Sequence, residues 1–105
     1  MKPGYVLSSE AISNIDEICS FIADDNEGAA VRVFAAFEHA FELLAERPGV
    51  GHTRDDLTER PVKFWPVYSY LIVYDPANTP TRIIAVLHGA RDVEKLLREM
   101  PAVEE

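Results

Sequence analysis

The stretch Thr81–Leu97, TRIIAVLHGARDVEKLL, decides how the rest of the chain is read. Ile83, Ile84, Ala85, Val86 and Leu87 form an unbroken apolar run with β-branched residues, the pattern of a strand covered on both faces. His88-Gly89-Ala90-Arg91-Asp92 follows, and Gly89 allows a turn that a side chain would obstruct. Asp92 is placed to cap a short helix over Val93–Met100, which Pro101 helps to end. A buried strand is therefore expected to deliver His88 and Arg91 to its carboxyl end, beside a helix start. Taken from the residues alone, this is a strand-to-helix corner with two solvated polar groups.

Outward from that corner, the chain reads in order as β, α, α, β, β, β. Tyr5, Val6 and Leu7 form a short strand, and Ser8 or Ser9 caps the helix that follows, with Glu10 in its first turn. Ile12, Ile15, Ile18, Cys19 and Ile22 recur at helical spacing. Asp24 to Gly28 breaks that pattern. A second helix carries Val33, Phe34, Phe37, Phe41 and Leu44 on one face, and Arg47-Pro48-Gly49 ends it. Two amphipathic helices joined by a short turn predict a helical hairpin, packed through Ile15, Ile22, Phe34, Phe37 and Phe41 on a sheet. Val50–Arg60 is a polar loop. Pro61–Val67 is a strand that Pro66 confines to an edge or ends. Tyr68–Tyr74, YSYLIVY, is a second strong strand, and the turn-rich Asp75–Pro80 connects it to the last. Short connections between three strands favour an antiparallel meander. The expected class is α+β, one domain over residues 1–105.

Composition narrows the function. The net charge is −8, from 10 Lys and Arg against 18 Asp and Glu. An acidic chain repels phosphate at long range, so a protein or peptide partner is expected and not nucleic acid held directly. The single cysteine, Cys19, forms no internal disulfide and falls on the apolar stripe of the first helix, which suits a reducing cytoplasm. MKPGYVLSSE has no apolar signal core, and no segment is long enough to span a bilayer. His39, His52, His88 and Cys19 show no metal-ligand spacing, and neither metal nor cofactor is expected.

The opening YVLSSEA, the ERPGVGHTRDDL segment after the second helix, SYLIVY and VLHGARD together resemble the toxins of the RelE/ParE superfamily of type II toxin–antitoxin systems. The ParE branch is the more similar. The resemblance spans nearly the whole chain and implies a helical hairpin packed on a small twisted, mainly antiparallel sheet.

RelE-type members cut messenger RNA on the ribosome, which requires donors at the phosphate and a positive field. Arg91 stands where one such arginine is expected. Leu71 occupies the place of another, just after Tyr70, and Leu97 falls near the place of a late catalytic tyrosine. That set is incomplete, so no catalytic residue is assigned. The ParE branch implies inhibition of DNA gyrase and neutralisation by a ParD-like antitoxin in a hetero-oligomer. The alternatives are a ribosome-dependent mRNA endoribonuclease and an inactive relative that only binds.

The residues expected to contact target or antitoxin are His88, Arg91, Asp92, Lys95, Arg98, Arg54, Trp65 and Tyr70. Arg91 has a second reading, as an ion-pair partner of Asp92, Glu94 or a helix carboxylate. His88 reads either as an acid–base group or as a strand-end histidine holding a carbonyl, with no base–nucleophile pair beside it. Trp65, Tyr68, Tyr70 and Tyr74 are either core or an aromatic surface for a partner. The loop around Gly49, Gly51, His52 and Arg54 reads as a helix stop followed by a flexible connection.

Overall fold

A computed structural model describes residues 4–56, 58–89, 92 and 98. Its elements run β1 (Tyr5–Leu7), α1 (Ser9–Asp25), α2 (Glu27–Glu46), β2 (Lys63–Val67), β3 (Tyr70–Asp75) and β4 (Thr81–His88), with a 3-10 turn at Pro48–Val50. This is the α+β arrangement expected, two helices on an open sheet. The strands lie in the order β1-β4-β3-β2. β2, β3 and β4 form the antiparallel meander, and β1 pairs with β4 in parallel. β4 is thus central, and β2, which contains Pro66, is an edge.

One residue joins the two helices. Asn26 closes α1 by donating its N–H to Ile22 O (2.8 Å), and its Oδ1 accepts from Ala29 N–H (3.0 Å) to open α2. Ser8 is the cap of α1 and accepts from Ala11 N–H at 3.0 Å. Ala11 and Ile15 of α1 and Phe37, Phe41 and Leu44 of α2 meet Ile72, Tyr74, Ile83 and Val86 of the sheet in the main core.

Two residues depart from the expected stripe. Ile12 is 55% exposed and Phe34 is 44% exposed. Each lies on the flank of its helix and not over the sheet, because the buried arc of each helix is narrower than its apolar arc. Ile18, Cys19, Ile22 and Val33 are half-buried.

The sheet carries a second apolar face. Strand alternation turns Phe64, Val73, Ala85 and Leu87 away from the helices, and with Val62 they form a separate buried cluster. The register shifts between Val73 and Tyr74, which oppose Ala85 and Ile83, leaving Ile84 as the extra residue of a β-bulge. α1 uses the backbone groups around this bulge. Ser8 donates its N–H to Ile83 O (3.0 Å) and its hydroxyl to Ile84 O (2.6 Å). Asn14 Oδ1 accepts the Val86 N–H at 3.0 Å, while its amide nitrogen donates to Glu10 Oε2. β1 is too short to pair there, so α1 side chains continue its work along the edge of β4.

Some boundaries differ from the sequence expectation. β2 begins at Lys63 and not at Pro61, whose ring offers no N–H to a ladder. Tyr68 and Ser69 form the β2–β3 turn, with Tyr68 at φ 55°, so β3 begins at Tyr70. Gly89 turns the chain at φ 87°, a conformation open to glycine at little cost. Asp92 already belongs to a helical turn and does not take the cap position expected of it. Within the expected Val93–Met100 helix, Arg98 is helical, and the other residues of that span lie outside the described ones.

Candidate partner-binding surface at the end of β4

The cross-strand register assembles part of the expected site. Tyr70 opposes His88 at the ends of β3 and β4, their rings 5.1 Å apart and tilted by 47°. Tyr70 also meets Phe37 edge-on at 5.6 Å, which anchors its ring on the core. His88 is exposed and Tyr70 half-buried, so the pair presents one wet ring on one packed ring. Trp65 stands on the same, helix-facing side of the sheet, paired with Ile72. His52 stacks on Trp65 at 6.1 Å and 10°.

His52 reaches Trp65 because the loop after α2 is tied down. The Tyr74 hydroxyl donates to Pro48 O (2.7 Å) and accepts from Gly51 N–H (2.9 Å). His52 and Phe64 then exchange backbone hydrogen bonds of 2.9 and 2.8 Å, which continues the ladder beyond β2. Burial pushes the Tyr74 phenol above its ordinary pKa, with the Gly51 hydrogen bond acting in the opposite sense. The flexible loop expected around Gly51 is instead an ordered strap.

Arg54 does not join the aromatic surface. Its guanidinium makes a bidentate pair with Asp56, at 3.0 and 2.9 Å, in the same loop. Those hydrogen bonds hold the Asp56 carboxyl below the usual carboxylate range and the Arg54 guanidinium above its own. Asp92 and Arg98 are exposed. Arg91 and Lys95 lie outside the described residues. His52 was missed as part of this surface, since only the strap geometry places it beside Trp65. Leu71 is half-buried against the second cluster, on the face opposite Tyr70 and His88. Among the described residues no three His, Cys, Asp or Glu side chains converge as metal ligands.

A family model for the ParE toxin of the type II toxin–antitoxin system parDE matches residues 5–93. The chain belongs to the ParE toxin family. Every described element of the ParE fold above, from β1 through β4 and the Tyr70–His88 pair, falls within the matched span. No curated protein matches the chain closely enough to count as a relative. As a ParE toxin, the protein is the toxin member of a type II pair, and membership implies an antitoxin partner. No helix among the described residues is long and apolar enough to cross a membrane.

Proposed function

We propose that this ParE toxin acts in the cytoplasm by binding and inhibiting DNA gyrase, and that a ParD-like antitoxin neutralises it in a hetero-oligomer. The observation that carries this reading is Leu71. An mRNA-cutting relative would need a phosphate donor at that position, whereas here an apolar side chain packs on the far face of the sheet from His88. The chain's charge of −8 also opposes capture of RNA. The contact surface in this reading is the carboxyl end of β4 with the residues after it: His88, Arg91, Asp92, Lys95 and Arg98, backed by Tyr70 and Trp65.

Purified toxin added to gyrase and relaxed plasmid tests the target. Loss of supercoiling, restored by a cognate antitoxin, is the expected result. Primer extension on translated messages during induction tests the competing chemistry. Discrete new cuts that vanish in Arg91→Ala would replace gyrase inhibition with ribonuclease activity.

A further inference from the structure

Trp65, Tyr68, Tyr70 and Tyr74 have different fates in the fold. Tyr74 is sealed in the core, and Trp65 and Tyr70 are half-buried against it. Tyr68 is 68% exposed. Among the described residues its hydroxyl has no hydrogen-bond partner and its ring no aromatic one. The fold therefore gains little from this ring.

Tyr68 also strains the fold. Val67 pairs with Tyr70, so Tyr68 and Ser69 are the whole loop of the β2–β3 hairpin. Of the two, only Tyr68 has a positive φ, 55°. That is the pattern of a type II′ turn, whose first position belongs to glycine because a Cβ there crowds the backbone. A bulky residue is an outlier in this region, and glycine or asparagine makes such turns more easily. Strain of this kind persists where the surroundings impose it, and it concentrates where a function uses it. Here the surroundings do impose it. Val67 and Tyr70, on either side of the turn, both pack on the main core, and Phe37 holds the Tyr70 ring edge-on at 5.6 Å. The turn lies at the end of the sheet where β4 finishes, because Tyr70 opposes His88. It therefore adjoins the surface at the carboxyl end of β4.

We propose that Tyr68 is an anchor for the toxin's target, its ring entering a preformed apolar pocket on a folded protein. The inference rests on the target-binding reading above and adds a residue and the shape of its counterpart. A protruding ring on a pinned hairpin needs a concavity to fill, and it loses little freedom on binding because the turn is already fixed. An antitoxin segment that folds as it wraps a toxin brings its own side chains to the toxin's hollows and offers no such pocket. The chain's charge of −8 opposes a nucleic acid, whose bases could otherwise stack on the ring.

Tyr68→Gly tests the anchor, because glycine suits the turn. The variant should melt at the wild-type temperature or above it. It should bind a cognate antitoxin within about twofold of wild type, yet need at least about tenfold more toxin to arrest host growth on graded induction and to block gyrase supercoiling. Tyr68→Phe, which keeps the ring in the same turn, should stay within about threefold of wild type in both toxicity measures. A lowered melting temperature for Tyr68→Gly would make Tyr68 a structural residue and overturn the proposal. Undiminished potency of Tyr68→Gly, or an equal loss in Tyr68→Phe, would overturn the role of the ring. A fall in antitoxin affinity that matches the fall in potency would move Tyr68 to the antitoxin interface. If the wild-type chain arrests growth without affecting supercoiling, and Tyr68→Gly relieves that arrest, the anchor stands and gyrase falls as the target. A wild-type chain that does not arrest growth would overturn both.

Discussion

A Cβ on Gly51 would fall onto the hydroxyl of Tyr74, and would also stand 2.8 Å from Tyr74 Cε1 and 3.0 Å from Phe64 O. Gly51 is therefore required for space, since its backbone is ordinary extended chain at φ −73° and ψ −175°. Neither neighbour can yield: Tyr74 is fully buried and Phe64 O belongs to a strand. Gly51→Ala should cost about 1–3 kcal/mol, the usual range for overpacking, read as a fall in the urea midpoint. A midpoint equal to wild type would mean that the strap is not held against Tyr74.

Tyr74→Phe removes the other half of the same contact. It strands the Gly51 N–H and the Pro48 carbonyl, and should cost about 1–3 kcal/mol. It should also change the alkaline limb of stability. The folded-state pKa of Tyr74 is raised, so its contribution is complete below the unfolded tyrosine pKa, near 10. It is lost as pH rises from there through the folded value. Thermal melts from neutral pH upward should show a steeper alkaline decline for wild type than for Tyr74→Phe, and parallel curves would contradict this.

Asn14→Leu tests whether α1 substitutes for a missing strand. The variant preserves approximate size but leaves the Val86 N–H without its acceptor. A loss of about 1–3 kcal/mol is expected. Hydrogen exchange at the Val86 amide should accelerate more than at Ile72, which lies in the middle of the sheet.

Phe37 and Phe34 are three residues apart on α2 and should behave as opposites. Phe37 is fully buried, so Phe37→Ala should cost about 3–5 kcal/mol. Phe34 is 44% exposed, and Phe34→Ala should cost far less in stability. Denaturant titrations of the two variants distinguish them.

The double variant Arg91→Ala/Arg98→Ala addresses the end of β4. It should fold with an unchanged melting temperature and lose toxicity or antitoxin affinity. A lowered melting temperature with binding intact on the folded fraction would make these arginines structural.

The sequence reveals most of this fold because its main signals are local. The apolar run of β4, the breaks at Asn26 and Pro48, and the proline in β2 each constrain their own neighbourhood. Ile12 and Phe34 were misplaced for a different reason: a stripe of apolar residues gives the direction of a buried face but not its width. The bulge at Ile84 and the strap at Gly51 depend on partners far along the chain, Ser8 for one and Tyr74 for the other. Of the expected contact residues, register alone brings Tyr70 against His88, while Arg54 spends its guanidinium on Asp56, a neighbour whose competition is invisible until the loop is folded.

The central position of β4 governs when the molecule comes into being during synthesis. β1 leaves the ribosome before the rest of the fold, yet its strand partner is β4, and Ser8 waits for a carbonyl 76 residues downstream. Until Thr81–His88 emerges, the opening strand has no ladder, Asn14 has no amide to hold, and the apolar faces of both helices have nothing complete to close upon. A nascent chain halted short of β4 is an unfinished sheet. The translating cell is thus exposed to a competent toxin only once nearly the whole described fold has been released, in a single late step of assembly.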